Sequence, residues 1–149
     1  MNHDEKDSIL IGEIDFKSIF EESVITGNIG NGRLVFKGIG LCKVEVFPIE
    51  GPVPHFHIKK DQGTDLDCCL CIDTNYYFDH GHHSDKLTNP RLKQLNDWLM
   101  QVNGKDQNYT NWQYIQFTWN EFAKTNTSMQ ISVATKQPDY TKTVNSIRN

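Results

Sequence analysis

Between Gly40 and Phe78 every apolar run is short, rich in branched and aromatic residues, and closed by turn residues. That punctuation constrains the fold more than any other feature. Leu41, Val44, Val46 and Ile49 mark a strand, and Arg33–Gly38 marks one before it. Pro48, Pro52 and Pro54 then force an extended or turning path. Pro54–Lys60 and Leu66–Phe78 read as the two arms of a β-hairpin, with the turn inside Asp61-Gln62-Gly63-Thr64-Asp65. Upstream, Glu13–Phe16 alternates like a strand, Asp15–Val24 has the spacing of a short helix, and Thr26–Gly32 is dense in turn residues. The glycines there lack the Gly-Lys-Ser/Thr of a phosphate loop.

Helical spacing follows. Thr88 or Asn89 caps a helix with Pro90 in its first turn, and Leu92, Leu95, Trp98, Leu99 and Val102 share a face before Gly104. A second helix starts near Thr110 or Asn111 and carries Trp112, Ile115, Trp119 and Phe122, with Tyr109, Tyr114 and Phe117 widening its apolar surface. Strands followed by helices predict an α+β fold: an antiparallel sheet of about four to five strands with two C-terminal amphipathic helices packed on one face. We expect residues 1–8 to fray, residues 9–125 to form a single domain, and residues 126–149 to be a polar tail with a short edge strand at Met129–Val133 and a mobile end. A chain of 149 residues can bury roughly 70% of its unfolded surface, enough to fold without disulfides or metal.

The chain carries a formal charge of −4 with no basic run longer than Lys59-Lys60, which argues against a nucleic-acid partner. It shows neither a signal peptide nor an apolar stretch of membrane-spanning length, so a cytoplasmic setting is expected, with Cys42, Cys68, Cys69 and Cys71 as thiols.

Five of the six histidines fall within the 29 residues from His55 to His83. On a strand, His55 and His57 share one face and Phe56 and Ile58 the other. If Gln62-Gly63-Thr64 is a three-residue loop, His57 pairs with Cys69 and His55 with Cys71, an imidazole and thiolate patch suited to zinc. A two-residue loop at Gln62-Gly63 would instead set the histidines against Cys68 and Leu70. His80, His82 and His83 are further candidate ligands, but they lie roughly 20 Å beyond Cys71 on an extended strand and join only if the chain folds back. The same residues also read as ordinary structure, a polar strand face and a buried strand using cysteine as a small apolar residue. For catalysis, Asp73 or Asp79 could work with a metal-bound water, and Cys69 or Cys71 with His55 or His57, but no nucleophile stands out and the catalytic residues are not assigned.

Gly38-Ile39-Gly40 before a strand, Pro54-His55-Phe56-His57 opening the next, Leu70-Cys71-Ile72, a helix after Lys86-Leu87 ending in Asp97-Trp98-Leu99, and Asn111-Trp112 opening the last helix follow one another in order. Over residues 38–122 this layout resembles the family called domain of unknown function 4160. The chain departs from that pattern at Lys59, where an acidic residue is usual, in the cluster from Asp79 to His83, in its first 37 residues and in its polar tail. The resemblance implies a strand, hairpin and helix-pair fold. From the settings of such proteins on mobile elements, beside toxin and antitoxin pairs, it implies a small cytoplasmic accessory protein of a bacterial mobile element or phage that binds a protein partner. An acidic surface that mimics nucleic acid toward a basic partner is one form of that reading. The competing expectation is a zinc-dependent hydrolase or nuclease using the histidine cluster, and a third is a purely structural zinc site.

Overall fold

The computed structural model describes residues 8–16, 40–48, 51–60 and 66–148. Of the helix expected over Asp15–Val24 only the first two residues are described, and Asp15 ends a strand; the rest of it, the turn at Thr26–Gly32, the strand at Arg33–Gly38 and the hairpin loop itself lie outside those residues. The fold is α+β. Among the described residues a sheet of six strands runs in chain order, β1 (Ile9–Asp15), β2 (Leu41–Val46), β3 (His55–Lys60), β4 (Asp67–Cys71), β5 (Tyr77–Asp79) and β6 (Ser146–Arg148). The first five are antiparallel and β6 joins parallel to β5, so the sheet is mixed and larger than the antiparallel four or five strands expected.

Two physical reasons account for the difference. The run Leu66–Phe78 is not one strand: Asp73, Thr74 and Asn75, poor strand formers and good turn formers, break it into β4 and β5. The second reason lies in the C-terminal segment, which is held by side-chain amides instead of an apolar stripe. Ile131 donates its N–H to Oδ1 of Asn120 (2.7 Å) and accepts from Nδ2 of the same residue (2.8 Å), while Gln116 donates to Ser132 O (2.9 Å). That pairing replaces the edge strand expected at Met129–Val133, and the strand forms instead at Ser146–Arg148. Tyr140, in the segment expected to be mobile, is fully buried. The two helices are therefore not C-terminal.

β1 carries a bulge: Leu10 faces Glu45 and Gly12 faces Val44, leaving Ile11 without a ladder partner. A Cβ at Gly12 would stand 3.0 Å from the Trp98 ring, so any larger residue there presses on that ring. Helix α1 (Asn89–Leu99) starts at Thr88, whose hydroxyl accepts from Arg91 N, and buries Leu92, Leu95 and Leu99. It ends before Val102, which is exposed. Helix α2 (Asn111–Phe122) has a capping box between Thr110 and Gln113 and buries Trp112, Ile115 and Trp119. These side chains meet Cys42, Val44, Val46, Phe56, Ile58, Cys68 and Leu70 in the main core. The alternate residues of β3 and β4 are thereby left for a second, smaller region, which is where the histidines stand.

Candidate metal centre

In the β3–β4 register His57 faces Cys69 and His55 faces Cys71, the pairing expected from a three-residue loop, and not Cys68 and Leu70. Period-2 alternation then places His55, His57, Asp67, Cys69 and Cys71 on one side. The corner after Cys71 supplies the next ligand. Cys71 N donates to Tyr76 O (2.8 Å), β5 runs back along β4, and His80 at its end returns to the histidines of β3. The chain does fold back.

The result is a group of four, His55, His57, Cys69 and His80, whose ligand atoms all lie within 4.8 Å of one another. Sγ of Cys69 is 3.3 Å from Nδ1 of His57 and 3.5 Å from Nε2 of His80. A tetrahedral zinc with Zn–S about 2.3 Å and Zn–N about 2.0–2.1 Å separates sulfur from nitrogen by about 3.6 Å, so the spacing fits a common ion without rearrangement of the strands. The group could hold a metal ion. His55 is oriented for that role: Nδ1 donates to Val53 O (2.7 Å), which fixes the tautomer and assigns Nε2 to the ligand position. The same distances also allow a thiol to donate to an imidazole.

His55, His57 and Cys69 are each 1% exposed, and His80 is half-buried. Phe47 stands edge-on to His57 (ring centroids 4.7 Å), Phe78 lies 4.6 Å from His55 and 4.8 Å from His80, and Trp119 approaches His55 at 5.6 Å. This aromatic collar excludes water and lowers the local dielectric, conditions in which a dication gains most from a thiolate partner.

The other candidates are placed differently. Cys71 shares the face of Cys69 but packs with Phe78, and burial pushes its thiol up to about 11 although Thr74 bonds to it. Cys68 lies in the main core, its thiol raised further still by burial. Neither is a thiolate nucleophile at neutral pH. Asp79 is ion-paired with Lys86 (2.7 Å), and Asp73 is exposed. None of the four cysteines is in a disulfide.

A second group stands beside the first. His83 Nδ1 lies 2.7 Å from Oδ1 of Asp67, and with His57 these residues again bring their ligand atoms within 4.8 Å. Gly81, at φ 60°, makes the tight turn that carries His83 back, and Asp85 holds the loop by accepting from Asp67 N (2.8 Å). His82 belongs to neither group and sits 3.7 Å from Oδ2 of Asp67. Asp67 joins the candidate ligands only through the structure. Its signal was present, two positions before Cys69 on the same strand face.

Comparison with known proteins finds no matching family model, no matching curated protein and no matching solved structure. The functional reading therefore rests on the geometry. Among the described residues, no helix is long and apolar enough to cross a membrane.

Proposed function

We propose that the protein is a small accessory domain that binds one zinc ion through His55, His57, Cys69 and His80 and uses it as a structural element. The observation that carries this is the closed set of four ligand atoms within 4.8 Å, three of them on residues 1% exposed. Three imidazoles and one thiolate are the donor chemistry of zinc, and four protein ligands leave no position for water or substrate. A catalytic zinc keeps such a position open. A domain of this kind acts through what it binds, and the resemblance centred on Pro54-His55-Phe56-His57 points the same way, to a cytoplasmic protein partner in the setting of a mobile element or phage. A net charge of −4 favours a basic partner surface.

The test is the metal content of protein purified without an affinity tag, beside His55→Ala/His57→Ala and Cys69→Ser variants. One equivalent of zinc in the parent, lost in both variants, is the expected result. Removal of zinc by a chelator should lower the melting temperature. At free zinc 100-fold above Kd the linkage is about 2.7 kcal/mol, which for a chain of this length is about 5–11 °C. A parent that holds no zinc after reconstitution overturns the proposal.

The hydrolase reading keeps one observation in its favour, the three-ligand group of His57, Asp67 and His83, two of whose side chains are partly exposed. Hydrolysis of ester or phosphodiester substrates by the zinc-loaded parent, abolished in His83→Ala, would favour it over the structural role.

A further inference from the structure

We propose that His82, Asp67 and His83 form an entry route for the metal ion, with the His57–Asp67–His83 group a transient site through which zinc passes to the buried four-ligand centre. The inference rests on the zinc-binding reading above and adds the path by which the ion arrives.

A buried centre poses a kinetic problem. Cys69 and His57 are each 1% exposed, so a hydrated ion cannot reach them directly. The titratable side chains beside them are arranged in order of burial. The His82 side chain is 81% exposed, His83 and Asp67 are 18% and 19% exposed, and His57 is almost fully enclosed. Ring centroids step inward at 4.1 Å from His82 to His83 and 5.0 Å from His83 to His57, and His83 is 4.8 Å from His80. Of these steps, the one from His83 to His57 joins residues whose ligand atoms lie within 4.8 Å.

Charge and ligand sharing supply the rest of the argument. Asp67 gives the outer group a carboxylate that attracts a dication at the surface. Its Oδ1 lies 2.7 Å from His83 Nδ1, so the carboxylate and the imidazole already stand together as two ligand atoms of the outer group. His57 belongs to both groups, so an ion in the outer group is already held by a residue of the inner one. Inward transfer is then a ligand exchange, in which His83 and Asp67 give way to His55, Cys69 and His80 while His57 keeps contact. The ion is never released bare into a dry interior, a step whose desolvation would be costly.

A residue on a path affects arrival and departure alike, whereas a residue that stabilises the bound state affects departure alone. The experiment follows cobalt(II) uptake by the metal-free protein through its thiolate charge-transfer band, then cobalt release to excess chelator, and measures Kd separately. His83→Ala and Asp67→Asn should slow uptake and release together, by about 10-fold or more, with Kd within twofold of the parent. His82→Ala, at a position too exposed to affect folding, should slow both by a smaller factor. Unchanged rates in all three variants overturn the route, as does faster release with unchanged uptake, which would make the outer residues part of the bound-state support. A parent that binds neither zinc nor cobalt overturns the four-ligand centre itself, and the route with it.

Discussion

Replacement of Tyr140 by Phe tests how the corner between β4 and β5 is held, and with it the return of His80 to the site. Ile72 N donates to Pro54 O (3.1 Å), but Pro54 has no N–H to give back, so the Ile72 carbonyl is left without its ladder donor. The indole N–H of Trp112 fills that position at 3.0 Å. The Tyr140 hydroxyl donates to the neighbouring Cys71 O at 2.6 Å and lies 3.2 Å from Ile72 O. Tyr140→Phe leaves the ring against Phe56 but deprives Cys71 O, fully enclosed, of its donor. An unsatisfied buried acceptor costs about 1–3 kcal/mol, and because Ile72 O keeps Trp112 the expected loss is about 2 kcal/mol. For a chain of this length that is about 4–8 °C in melting temperature. Urea unfolding gives the free energy, and a cycle with Trp112→Phe should show a coupling of about 1 kcal/mol, since the single Tyr140 proton, 3.2 Å from Ile72 O, can turn to that carbonyl once Trp112 is gone and the double variant removes this alternative. A loss below about 0.5 kcal/mol, or strict additivity, would refute the assignment of the corner to these two side chains.

Three further outcomes follow from the same accounting. Asn103 is buried, donates to Ile11 O at the bulge (3.1 Å) and to Asn111 Oδ1 (2.8 Å), and accepts from the N–H groups of Lys105 and Asp106. Asn103→Ala should therefore cost about 2–4 kcal/mol in chemical unfolding, and a loss under 1 would show that water replaces the network. Gly12→Ala should cost about 1–2 kcal/mol by pressing on Trp98, read as a melting shift that Gly12→Ala/Trp98→Leu relieves. Alkaline pH should also destabilise the fold. Burial raises the thiols of Cys71, to about 11, and of Cys68 above an ordinary value near 9, so the unfolded chain loses these protons first. The stability is complete below pH 9 and falls by about 2–3 kcal/mol by pH 10 for the two thiols together. Cys68→Ala should reduce the slope of that decline by about half, and an unchanged slope would assign it to other groups.

What could be read from the sequence was local. Of the two registers the hairpin spacing allows, the structure has the one that aligns His55 and His57 with Cys71 and Cys69, and of the candidate caps Thr88 and Thr110 start the two helices. What could not be read depended on distant partners. The turn at Asp73, Thr74 and Asn75 is short, and the β-like residues on either side read as one strand. It is fixed by Trp112 and Tyr140, 40 and 68 residues from Ile72. The C-terminal segment was equally opaque, because polar side chains attach it to polar helix faces and hydrophobic periodicity carries no trace of that.

These long-range attachments bear directly on the site. His55 and His57 come from β3 and Cys69 from β4, central strands paired along most of their length. His80 comes from the end of β5, which meets β4 at the single ladder pair Leu70 and Tyr77 and relies on β6 for its other edge. Ile147 of β6 packs on the cluster of Cys69, Cys71 and Phe78, so the C-terminal strand supports both β5 and the flank of the centre. Three ligands are thus set by the hairpin alone, and the fourth is set by the closure of the sheet. A metal ion that requires all four ties that closure to its own binding, so part of its free energy appears as stability of β5 and β6.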